Sequence, residues 1–344
     1  MPRRSRSLLS TSMVIAIAVV SPLLLPGTAS GAASAAAGQS TRSAAGNPDL
    51  YTLPGQEPGP SNAAGSKYEG IGLDERRNLF YVSETTGGEI SRGQVGDPDV
   101  EPWLKGNGTD GRVTARGIDV DTAGRVFIAG GPNGASAKDA PDLWVYSREG
   151  GLLAALDAKV DGAVFNDVTV ARDGTAYFTD SSLKPRIFRV VERNGSWSVE
   201  LWLDASGTIK TSGPFDLNGI VATSDGRALV VVQSTGALWR IDLTTRNVTS
   251  VALHGLTGAD LVGGDGIVLR GKKLYVVRNF QHILVELRMT DQFTGASFVK
   301  AVPTDPERVF TTAKYAHGRL LAVDSKFDEP VAEPPYQVVA LRLP

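Results

Sequence analysis

The sequence predicts an all-β chain folded as a six-bladed β-propeller of four-stranded blades. Three observations predict it. A strand–turn–strand motif recurs six times, beginning at Glu69, Arg116, Asn166, Asn218, Asp265 and Thr311, at intervals of 46 to 52 residues. That interval is the length of four short strands with their turns. Further strand-like runs follow each motif, and no amphipathic helical period of useful length interrupts them.

Taken in order, residues 1–37 read as a secretory signal peptide: Arg3, Arg4 and Arg6, an apolar stretch to Leu25, then small residues from Gly27. Ser10, Thr11, Ser12, Ser21 and Pro22 interrupt the apolar stretch, which favours cleavage over a retained anchor. The Arg3-Arg4 pair leaves twin-arginine export open beside the general route. Residues 38–48 read as a flexible segment, rich in Ala, Gly and Ser and too poor in apolar surface to offset the entropy of ordering. The propeller is expected over 49–344, with DLYTL from Asp49 as a short strand that closes the last blade against YQVVALRLP.

The copies read EGIGLDERRNLFYVSE, RGIDVDTAGRVFIAGG, NDVTVARDGTAYFTDS, NGIVATSDGRALVVVQ, DGIVLRGKKLYVVRN and, more weakly, TTAKYAHGRLLAVDS. Ala123-Gly124, Asp173-Gly174 and Asp225-Gly226 stand where a tight hairpin needs positive φ. Third strands are expected at LWVYS, IFRVVE, LWRIDL and ILVELR, and a fourth at WSVELWL.

A formal charge of −2 argues against a nucleic-acid surface. The absence of cysteine excludes disulfides, zinc-thiolate sites and thiol catalysis. The mature chain is expected to be secreted, monomeric and free of the membrane, with a small molecule as its partner.

The first strand of a propeller blade lines the central channel, so Glu69, Arg116, Asn166, Asn218, Asp265 and Thr311 are expected to form one ring. Two carboxylates and two amides in that ring offer four hard oxygens, the donors preferred by Ca²⁺, Mg²⁺ or Mn²⁺. Two other readings stay open: ordinary turn hydrogen bonds at the strand starts, and Arg116 neutralising Glu69 in place of a metal.

The ordered set of Glu before Gly-Ile, Asn-Asp-Val, Asn-Gly-Ile and Asp-Gly-Ile resembles the senescence marker protein and gluconolactonase family of six-bladed propellers. NDVTVARDGTAYFTDSS also looks like its strictosidine-synthase-like branch. The likeness spans about residues 67–325. It implies that Glu69, Asn166, Asn218 and Asp265 hold one divalent cation, Ca²⁺ foremost with Mg²⁺, Mn²⁺ or Zn²⁺ as alternatives, and that Asp265 also serves as general base. It further implies metal-assisted hydrolysis of a small lactone or ester, chemistry that needs no Ser-His-Asp triad. The chain departs from the family at its substrate-contacting arginine; Val164 occupies the nearby position. Arg116, Asp180, Ser181, Gln233, Arg278 and Thr311 are candidate substrate or supporting groups, with Glu84 and Asp324 at equivalent strand ends. A noncatalytic propeller that binds a ligand or protein is the alternative function.

Other signals are weak. GIVLRGKK lacks the Ser or Thr and the helix of a phosphate loop. Asp119-Val120-Asp121 lacks the later ligands of a calcium loop. His254, His282 and His317 show no zinc-protease spacing. The five Trp mostly fall in strand runs suited to the core between blades.

Overall fold

The computed structural model describes residues 48–60, 62–131 and 140–343. The expected signal peptide lies outside the described residues, as does the flexible segment up to residue 47. The described chain forms six sheets, the blades of a propeller, antiparallel but for one short strand of blade five. β1 (Leu50–Leu53) opens it. Blade one holds β2 (Tyr68–Asp74), β3 (Leu79–Glu84), β4 (Ile90–Gln94) and β5 (Val100–Leu104). Blade two holds β6 (Ala115–Val120), β7 (Val126–Gly130), β8 (Leu143–Tyr146) and β9 (Leu152–Leu156). Blade three holds β10 (Phe165–Val170), β11 (Ala176–Asp180), β12 (Arg186–Arg193) and β13 (Ser196–Asp204). Blade four holds β14 (Leu217–Ala222), β15 (Ala228–Gln233), β16 (Leu238–Asp242) and β17 (Val248–Ser250).

Blade five departs from the four-strand expectation. Its strands β19 (Gly264–Arg270), β20 (Lys273–Arg278), β21 (Ile283–Met289) and β22 (Gly295–Pro303) are joined at the outer edge by β18 (Ala252–His254), which runs parallel to β22. Three residues of parallel pairing leave no alternation to read in a sequence. Blade six combines β23 (Phe310–Ala316), β24 (Arg319–Asp324) and β25 (Tyr336–Arg342) with β1, which pairs antiparallel to β25 from Leu50↔Val339 to Leu53↔Tyr336. The expected closure is therefore present. Tyr51 and Leu53 bury their side chains beneath it, and Tyr51 meets Phe80 of blade one edge-on at 5.0 Å.

The hydrophobic core lies between blades. Strands alternate side chains to both faces, so each sheet buries one face against its neighbour on either side. Phe80 and Val82 of blade one pack with Leu321, Val323 and Val338 of blade six, and Ile187 and Trp202 of blade three with Leu229 and Val231 of blade four. Trp202 is buried in the second of these seams and Trp144 between blades one and two, as expected of them. The turn glycines Gly124 and Gly174 take φ of 80° and 85°, which their tight hairpins require. No helix of the described residues is long and apolar enough to cross a membrane.

Candidate functional site at the channel mouth

Each of the six ring residues is the second residue of its blade's first strand. In every blade the pairing register breaks there: between Tyr68 and Ile71, Ala115 and Ile118, Phe165 and Val168, Leu217 and Ile220, Gly264 and Ile267, and Phe310 and Ala313. A bulge inserts a residue and turns a side chain out of the alternation. Six bulges at one level thus present six side chains to one place.

The residue after each ring position explains how the bulges fit around the axis. A Cβ on Gly219 would stand 2.4 Å from the Asp265 carbonyl oxygen, and one on Gly70 would stand 2.2 Å from that of Arg116. Glycine is required because the next blade's backbone fills the space. Blade three carries Asp167 at this position instead, and its carboxylate accepts N–H groups from Val168 at 2.8 Å and from Ile220 of blade four at 3.1 Å.

Glu69, Asn166, Asn218, Asp265 and Thr311, with Asp167, line one void of about 10 Å³. That is roughly the room taken by a single water or ion. Asn166, Asn218 and Asp265 are 5%, 8% and 7% exposed, so the donors are shielded yet reachable from the mouth. Asn279 donates its amide to Asp265 Oδ2 at 2.9 Å, and Asn218 also bonds this carboxyl. Burial, then the charge of Glu69, pushes the Asp265 carboxyl far above its ordinary value. Burial raises Glu69 as well, against the pull of Arg116, and lifts Asp167 to about 6.

Arg116 does reach Glu69. Its Nη1 stands 2.8 Å from Glu69 Oε2, and its guanidinium lies over the Phe215 ring at 5.7 Å. Of the three carboxylates that line the void, Glu69 is paired with Arg116 and Asp167 lies in the field of Lys314, which leaves Asp265 the one without a cationic partner among the described residues. Among the described residues no three of His, Cys, Asp and Glu form a metal-binding group by themselves. Any cation here therefore depends on the amide oxygens of Asn166 and Asn218 beside Asp265 and Glu69. As hard oxygen donors, these residues fit Ca²⁺ or Mg²⁺.

The remaining candidates are engaged elsewhere. Thr311 donates to the Glu69 carbonyl at 2.8 Å and so bonds blade six to blade one. Asp180 accepts from Arg186 Nε at 2.7 Å and from the Val164 and Ser182 N–H groups, while the Ser181 hydroxyl donates to the Leu217 carbonyl. Gln233 bonds Asp216, the Lys210 carbonyl and the Trp239 indole. Arg278 donates to the Val262 carbonyl at 2.8 Å. Glu84 accepts from Thr86, and Asp324 pairs with Arg308 at 2.9 Å. These groups brace the loops of the mouth. His282 and His317 bond loop partners at Arg308 and Asn78.

Sequence reasoning missed three contributors. Asn279 lies one residue beyond Arg278, past the end of β20, where the blades differ in length and no repeat marks the position. Asp167 occupies a position that reads as a spacer because Gly stands there in four of the other copies. Phe215 lies in the loop before β14, at φ 61°, with no sequence signal to distinguish it.

No family model matches the chain, and no curated protein matches it. Solved structures do. The major allergen Mala s 1 of Malassezia sympodialis superposes with a TM-score of 0.62 at 17% identity, covering 78% of this chain and 91% of the allergen. A gluconolactonase from Xanthomonas campestris gives 0.54 at 17% identity, covering 87% and 99%. A luciferin-regenerating enzyme gives 0.56 at 11% identity, covering 86% and 94%. At such identities the likeness establishes the propeller fold.

Proposed function

We propose that the chain is an exported, metal-dependent hydrolase that opens a small lactone or ester at this mouth. The observation that carries the reading is that Glu69, Asn166, Asn218 and Asp265 occupy bulge positions of four blades around a single ion-sized void. A gluconolactonase and a luciferin-regenerating enzyme among the structural neighbours support a hydrolytic propeller at a coarse level.

Glu69, Asn166, Asn218 and Asp265 would hold one divalent cation, Ca²⁺ foremost. When bound it supplies Lewis acidity toward a carbonyl oxygen and the positive charge that keeps Asp265 ionised. Asp265, oriented by Asn279 and Asn218, takes the proton from the attacking water at its carboxylate. Arg116 holds Glu69 in place, and its charge favours the developing oxyanion. Phe215 stacks on Arg116, and Phe280 follows Asn279; they are 48% and 53% exposed, an apolar border suited to a substrate with a hydrocarbon part. Export and a monomeric state belong to the same proposal.

The test is hydrolysis of a panel of aliphatic lactones and aryl esters. Chelation followed by dialysis should abolish it, and Ca²⁺ should restore it. Asp265→Asn should lower kcat/KM by roughly a hundredfold or more. Turnover indifferent to both treatments contradicts the mechanism.

A further inference from the structure

A second cavity opens at the opposite mouth, where the six first strands end. We propose that it is a second binding site, for a small organic carboxylate with an apolar body. Its volume is about 420 Å³, within the range of small-ligand pockets.

Leu73, Val120, Val170, Val221 and Val268, on five different first strands, form the apolar part of a wall that also carries charged side chains. At the rim the guanidinium carbon of Arg270 lies 3.6 Å from the centroid of the Tyr315 ring. Among the described residues the Arg270 side chain forms no hydrogen bond or ion pair. Stacking fixes the plane of the guanidinium fork and leaves its donors open, the arrangement that receives a carboxylate in a bidentate pair.

The acids of the cavity do not cancel this charge. Asp119 is held by Lys314 Nζ at 2.9 Å and Asp121 by Arg125 at 2.6 Å, while Asp74 accepts the N–H groups of its own turn at one oxygen and has Arg148 Nε 3.9 Å from the other. Glu75 is exposed beside Arg76. The Lys314–Asp119 pair is the polar floor of the cavity, and Asp167, whose charge Lys314 also feels, lines the void of the other mouth. The two cavities share no lining residue, so the sites are distinct, and this one stands or falls apart from the hydrolytic reading.

The experiment is calorimetric titration of the full chain with hexanoate, acetate and hexanamide. One equivalent of hexanoate should bind, and acetate and hexanamide should each bind about tenfold more weakly, the first lacking apolar surface and the second lacking charge. Arg270→Ala and Arg270→Gln should weaken hexanoate about tenfold while leaving the melting temperature unchanged. Tyr315→Leu, which keeps apolar bulk but removes the stack, should weaken it as well. Asp265→Asn should not. Hexanoate affinity unchanged in both Arg270 variants, equal affinity for hexanamide, loss of binding in Asp265→Asn, or no saturation up to about 50 mM would each overturn the proposal.

Discussion

At the scale of single residues, Arg116 decides how the ring behaves. It shares Glu69 with any cation, because its Nη1 already stands 2.8 Å from one carboxylate oxygen. Removing its charge with Arg116→Gln should tighten Ca²⁺ binding about tenfold, measured by calorimetry, while lowering turnover through loss of oxyanion stabilisation. Unchanged Ca²⁺ affinity would mean that Glu69 is not a ligand. Asp142, which is not one of the ring residues, permits a separate electrostatic test. Its carboxyl accepts the Ala158 N–H at 2.9 Å, and burial raises it from 3.8 to about 6. Between those values the folded chain binds more protons than the unfolded one, so this group adds stability as the pH falls through about 6 and withdraws it above. Asp142→Asn keeps an acceptor and removes the charge. It should stabilise the protein by about 1–2 kcal/mol near pH 7.5, after allowance for solvent screening, and by much less near pH 4.5. Thermal melts at the two pH values check this, and an equal gain at both would contradict the buried charge as the cause.

At the scale of elements, the bulge is the unit that makes the site. Gly219→Ala places a methyl 2.4 Å from the backbone oxygen of Asp265, so two bulges must separate. The expected outcome is a destabilisation of about 1–3 kcal/mol together with weaker cation binding. Gly207→Ala, whose added methyl meets nothing within 4 Å, is the control that should change neither. The ring was legible in the sequence because Glu69, Arg116, Asn166, Asn218, Asp265 and Thr311 begin equivalent copies. The bulges were not, because an inserted residue leaves the apolar run intact and only the recurrent glycine hints at it. Asn279 and Tyr315 were hidden for another reason. They lie at strand ends, where turn lengths vary and the sixth copy has diverged from the rest.

At the scale of the whole molecule, a ring of blades is only as stable as its last junction. No disulfide can reinforce it, since the chain has no cysteine. β1 covers the edge of β25, and Arg319 and Arg342 both reach Asp49 beside it. Tyr51→Ala should lower stability by about 3 kcal/mol or more, read by denaturant unfolding, because the ring is fully buried against Phe80. A loss below about 1 kcal/mol would show that closure is carried elsewhere. The same circular plan gives the channel two unlike ends. One is a tight mouth with an ion-sized void lined by carboxylates and amides, the other a roomier mouth with a mixed wall and a stacked arginine. The most direct test of the central claim is titration of Ca²⁺ into chelator-treated, dialysed protein, with Glu69→Gln, Asn166→Ala, Asn218→Ala and Asp265→Asn beside the unaltered chain. One equivalent should bind to the unaltered chain, with an affinity at least about tenfold lower in every variant. Absence of binding, or binding that survives Asp265→Asn unchanged, would contradict it.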